Sequence, residues 1–233
     1  MLRSVFPLAA LFLLTACATP PPIKPEQFNA VKSGQKAAIF MTYYGDRACS
    51  NATLSLMSTK SGSVYSLGPG AGRADGVAVE PGAYQFLMGS CYQQLGSGTR
   101  ASFKDLAYWF HPIEVEGGEV VDLGTLRFEV LTKKSEATTI DKIENLMTTM
   151  SLKDRSNFFL YSFDATPRKR TQKLVAKYYP DLSDKMVIKP PKARLDKAKY
   201  EQMIDKAYAK NKDGSSPTSE EAKQRLLEQM KKR

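Results

Sequence analysis

The chain has 233 residues, with 34 Lys and Arg against 24 Asp and Glu, a net charge of +10 and 42% hydrophobic residues. That composition is globular and the length suits one ordinary domain plus extensions. A single His leaves little room for His-dependent catalysis, and no apolar run approaches the 18 residues of a membrane-spanning helix.

Arg3 precedes an apolar stretch from Val5 to Leu14, about ten residues and too short to span a bilayer. A positive flank, a short apolar core and small residues after it predict a secretory signal over 1–16. The stretch ends Leu14-Thr15-Ala16-Cys17, which resembles the lipobox of bacterial lipoproteins. The resemblance implies cleavage before Cys17, a diacylglycerol on its thiol and acylation of the new amine. Two or more acyl chains anchor stably, where one holds only marginally. The competing reading is a secreted protein with a chance Cys beside its cleavage site. Ala18 follows the Cys, where an Asp commonly retains Gram-negative lipoproteins at the inner membrane; its absence points to the outer membrane, facing the periplasm. Pro20, Pro21, Pro22 and Pro25 predict an extended Pro-rich tether over 17–34.

Residues 35–130 read as a small antiparallel β-sandwich. "QKAAIFMTYY" (35–44) is apolar on both faces, as in a sandwich-core strand, and "ATLSLMS" (52–58) alternates Leu54 and Leu56 with Ser55 and Met57. "SVYSLG" is short and stops at the turn cluster 68–72. "GVAVEPGAYQFLMGSC" (76–91) holds two strands around Pro81-Gly82, read as a type II turn. "AYWFHPIEVEGGEVVDLGTLRFEV" (107–130) repeats that layout around Gly117-Gly118, a short hairpin signal. Short strands with turns every 8–12 residues suggest a sandwich. With Cys17 lipidated in an oxidising compartment, Cys49 and Cys91 are expected to form a disulfide. It would close a loop of about 42 residues and contribute roughly 4 kcal/mol. Two free thiols are the alternative.

Pro81, Gly82 and Tyr84, followed by Gly118, Glu119, Val120, Leu123 and Gly124, carry a second resemblance. The layout is similar to a bacterial family of periplasmic lipoprotein β-sandwiches with a transthyretin-like topology. That resemblance implies a fold and no activity.

Residues 131–189 read as a mixed connection. Residues 131–150 suit a short helix or a long loop, and "RSNFFLYSFDA" (155–165) one more strand. "TPRKRTQKLVAKYYPDL" predicts a helix with Leu174, Val175, Tyr178 and Tyr179 inward, halted by Pro180. Residues 190–233 read as a basic helical tail. Tyr200, Met203, Ile204, Ala207 and Tyr208 recur at helical spacing, and Thr218 with Glu221 forms a capping-box signature before a last helix. Docking is expected for the 171–179 helix and a solvent-exposed arm for 212–233. Overall the chain reads as mainly β with a basic helical extension, α+β in class.

Candidate chemistry is sparse. His111 has no partners at metal or catalytic spacing, so no catalytic or metal site and no cofactor is expected. Glu114, Glu116, Glu119 and Asp122 are close in sequence, enough for a cation or a carboxylate pair, or for a solvated hairpin face. Residues 1–150 balance 13 basic against 13 acidic residues, whereas 151–233 hold 21 against 11. Arg168, Lys169, Arg170, Lys231, Lys232 and Arg233 are therefore the candidates for an anionic partner such as lipid headgroups, lipopolysaccharide or a wall polymer. The alternative is an ordinary solvated face. No nucleic-acid partner is expected for an exported chain. The reading is a non-enzymatic envelope lipoprotein whose helical extension binds an envelope protein; the second is a module gripping an anionic polymer.

Overall fold

The computed structural model describes residues 22–44, 51–68, 73–92, 100–103, 106–131, 158–165 and 169–232. Cys17, Cys49, Arg168, Arg233 and the segment 132–150 lie outside them.

In chain order the elements are α1 (Pro25–Lys32), β1 (Ala37–Tyr43), β2 (Asn51–Ser58), β3 (Val64–Leu67), β4 (Ala74–Val79), β5 (Gly82–Tyr92), β6 (Arg100–Phe103), α2 (Leu106–Trp109), β7 (Ile113–Val115), β8 (Val120–Leu131) and β9 (Phe158–Asp164). There follow α3 (Lys169–Tyr178), a 3₁₀ turn (Pro180–Lys185), β10 (Met186–Ile188), α4 (Lys197–Ala207) and α5 (Ser219–Lys231). Two five-stranded sheets and these helices make an α+β fold. One sheet runs β10-β8-β1-β4, with β9 also on β8; the other runs β3-β2-β5-β6, with β7 also on β5.

The apolar pattern of β1 explains its place. All seven of its residues are buried. Ala37, Ile39, Met41 and Tyr43 enter the main core between the sheets, with Leu54, Leu56, Tyr84, Phe86, Val121 and Leu123. Ala38 and Phe40 point the other way, into a second cluster with Val31 of α1 and Val175 and Tyr179 beside α3. A strand covered on both faces has no use for alternation. β8 meets β1 in parallel, from Ala38 opposite Val120 to Tyr43 opposite Leu126, so the sandwich is not wholly antiparallel.

Two turn readings need correction. β4 and β5 lie in different sheets, as do β7 and β8. Pro81-Gly82, flanked by two strands as expected, and Gly117-Gly118 are therefore corners that carry the chain across the sandwich; Gly117-Gly118 is no hairpin, and Gly82, at φ +147°, departs from the roughly +80° of a type II turn. The glycines at the second corner serve close approach. A Cβ on Gly117 would lie 2.1 Å from the Gly34 carbonyl oxygen, and Gly118 has φ +80°.

The predicted tether is also shorter than expected. Pro25 opens α1 instead of extending the chain. A proline at the first helical position loses no hydrogen bond, and its fixed φ suits the turn. The sandwich likewise continues past residue 130, because β9 and β10 complete the first sheet.

The C-terminal segment is not an arm. Tyr200, Met203, Ile204 and Ala207 of α4 and Ala222, Leu226 and Met230 of α5 are buried in the same cluster as the sheets. Trp109 seats Tyr200 edge-on at 4.3 Å between ring centroids. The helix signals hold locally. Thr218 accepts from the Glu221 amide at 3.3 Å, and the Glu221 carboxylate accepts from the Thr218 amide at 2.7 Å. Arg225 of α5 donates to the carbonyls of Ala207 and Ala209, satisfying the open end of α4.

Candidate functional site

The predicted basic residues fall in two places. Lys169 and Arg170 open α3 and are exposed. Lys231 and Lys232 lie at the far end of α5, exposed, where cations also suit the negative end of the helix dipole.

Lys231 reaches a cleft of about 490 Å³. Gln85 from β5, Tyr108 from α2, His111 just after it, and Arg194 and Leu195 ahead of α4 complete its walls with Met230. The strip before α4 is pinned to the α2 exit by backbone pairing. The Arg194 amide donates to the Trp109 carbonyl at 2.7 Å and the His111 amide to the Lys192 carbonyl at 2.8 Å. Arg194 Nε donates to the Phe110 carbonyl at 3.0 Å, which fixes the root of the guanidinium. Leu195 and Met230 form an apolar wall. The Arg194 guanidinium and the Lys231 ammonium, with an imidazole, an amide and a phenol, suit a carboxylate or phosphate. No carboxylate lines the cleft among the described residues. Sequence reasoning found Lys231 and His111 but missed Arg194, because only the fold brings residue 194 beside residue 111.

The acidic residues do not converge with His111. Lys189 Nζ joins Glu119 at 3.2 Å and donates to the Glu114 carbonyl at 2.6 Å. Glu119 also accepts from the Glu116 amide at 2.9 Å. This is a corner held by one lysine. Glu114 and Glu116 stay exposed. No group of three or more metal-ligating side chains occurs among the described residues.

Asp122 is a different matter. It is 2% exposed, on the α3 side of β8, and accepts from the Gly124 amide at 2.9 Å. Burial pushes its carboxyl above the ordinary carboxylate range, opposed by that amide and by the nearby Thr171 hydroxyl. Thr171 Oγ1 is buried without a well-aligned hydrogen-bond partner. The folded state therefore holds this proton more tightly than the unfolded chain. The stability it contributes is present below the unfolded pKa of about 3.9 and lost as pH rises through the folded value. Asp122→Asn should raise stability at neutral pH and flatten that decline, since an amide can accept from Gly124 and donate to Thr171. Urea unfolding from acidic to neutral pH checks it; an unchanged pH profile would contradict the assignment.

The disulfide pair is half placed. Cys91 lies on β5 opposite Ala52 of β2, and Cys49 is outside the described residues. No family model matches the chain, and searches of the curated proteins and of the solved structures give no match either.

Proposed function

We propose that the protein is a non-enzymatic lipoprotein of the bacterial cell envelope. It is anchored in the outer membrane through Cys17, faces the periplasm, and offers a rigid α+β scaffold with basic surfaces to an envelope partner. The observation that carries the reading is the apolar run ending Leu14-Thr15-Ala16-Cys17, with a buried residue of the domain, Ile23, only six positions later. A secretory leader, an acylation site and a folded domain then follow without a gap. The Cys49–Cys91 disulfide and the transthyretin-like kinship belong to the same proposal. The test is the intact mass of protein purified from membranes. The reading expects the loss of residues 1–16 and a gain of two or three acyl chains on Cys17. A full-length or unmodified chain would overturn it.

The cleft favours a second reading, a module that grips an anionic envelope polymer. Arg194, Lys231 and His111, all exposed, converge on the rim of one cleft. Under this reading acidic wall or lipopolysaccharide fragments should shift the NMR signals of Gln85, Tyr108 and His111. Lys231→Glu should abolish those shifts and leave the rest of the spectrum intact. Shifts that survive Lys231→Glu, or none with the parent chain, would remove it.

A further inference from the structure

The α3 face and the start of the domain are locked together. Tyr179, which follows α3, accepts from the Ile23 amide at 2.7 Å and donates to the Ile23 carbonyl at 3.0 Å. Its ring packs on Phe28 of α1 at 4.9 Å between centroids. Ile23, Val31, Val175, Tyr179 and Leu182 share one buried cluster on the outer face of the first sheet. The chain therefore enters the fold at α3, and six residues back along it lies Cys17. Six residues reach at most about 20 Å even when fully extended.

The outward side of α3 is basic. Lys169, Lys173 and Lys177 are spaced at i, i+4 and i+8, Arg170 lies beside them, and all four are exposed. α3 contains no acidic residue. Among the described residues no carboxylate forms an ion pair with any of these four. The elements packed around it add Lys24, Lys32 and Lys185 against Glu26, Asp75, Asp181 and Asp184, with Lys32 and Asp181 already paired and Asp122 buried beneath the helix.

We infer that α3 is a membrane-facing surface: the Ile23–Tyr179 clamp and the short reach to Cys17 hold Lys169, Arg170, Lys173 and Lys177 against anionic lipid headgroups of the leaflet that carries the acyl anchor. This deepens the proposed function and rests on acylation of Cys17 for its orientation. The basic stripe would otherwise face bulk solvent, beyond a Debye length of about 8 Å from any surface. A tether of at most about 20 Å keeps the stripe close to the leaflet, where its charge can close the remaining gap. The second sheet, with Lys60 in the β2–β3 turn, faces away from the bilayer.

The test uses the acylated protein in vesicles of zwitterionic lipid, with and without phosphatidylglycerol, and an amine-labelling reagent read by mass spectrometry. With phosphatidylglycerol, labelling of Lys173 and Lys177 should fall about fivefold or more and recover in high salt, while Lys60, Lys206 and Lys212 are unchanged. Equal labelling on both vesicles would overturn the inference. So would protection of these lysines by wall sacculi but not by vesicles. A companion measurement separates the two claims. The mature chain carrying Cys17→Ser has no acyl group and should still bind anionic vesicles at low salt; Lys173→Glu with Lys177→Glu should weaken that at least about 25-fold. If the intact mass shows no acylation but this binding holds, the anchor is wrong and the face is right. If the mass is right and neither labelling nor binding responds, the face is wrong.

Discussion

A chain ended after residue 217 should lose most of its stability and aggregate, although half of the deleted residues are charged. The segment carries α5. Its Ala222, Leu226 and Met230 are buried in the main core, and Arg225 satisfies the carbonyls that close α4. Burying each large apolar side chain is worth about 1.5–3 kcal/mol. Deletion forfeits Leu226 and Met230 and uncovers part of the stripe formed by Met203, Ile204 and Ala207. The expected loss is about 5 kcal/mol, comparable with the whole stability of a small domain. A dangling arm would cost nothing on removal. Thermal unfolding of the two chains decides it: equal midpoints would show that α5 does not belong to the core. Leu226→Ala makes the same point within an intact chain, with an expected loss of 2–5 kcal/mol, as for other buried leucines (roughly).

The second large effect concerns location. Cys17→Ala should move the protein from the membrane fraction to the soluble one nearly completely. The thiol is the sole attachment point for the proposed diacylglycerol, and the apolar run before it is too short to span a bilayer by itself. The basic face of α3 does not compensate in a cell, because surface charge at physiological salt acts only within about 8 Å. A few lysines give weak, reversible contact where two acyl chains give stable anchoring. Fractionation followed by a high-salt wash measures it. A variant that stays with membranes through the wash would contradict lipid anchoring at Cys17.

Much of the local structure was legible. The alternation of Leu54 and Leu56 with Ser55 and Met57 reports a strand with one buried face, and 37–43 reports one with two. The capping pair Thr218 and Glu221 and the stop at Pro180 hold as read. Tyr200, Met203, Ile204, Ala207 and Tyr208 share one helical face; the first four are buried and Tyr208 is half-buried. The chemistry was legible only in part. His111 and Lys231 stood out as residue types, while their neighbour Arg194 was invisible. Asp122 was grouped with three glutamates, yet it points under α3, because β-strand neighbours face opposite sides.

By itself, then, the sequence determined periodicity, caps and breaks. These arise from contacts within a few residues, where a period of 2 or 3.6 and a proline's missing N–H act directly. Only the tertiary structure decided that Pro81-Gly82 and Gly117-Gly118 change sheets, that β1 lies parallel to β8, that the tether becomes a helix at Pro25, and that α5 closes the core. Each of these depends on a partner far along the chain: Gly34 for Gly117, β8 for β1, Tyr179 for Ile23, and the cluster around Trp109 and Tyr200 for the last helices. An apolar stripe states that something will cover it. What covers it is settled when the whole chain finds the arrangement that leaves the least apolar surface in water.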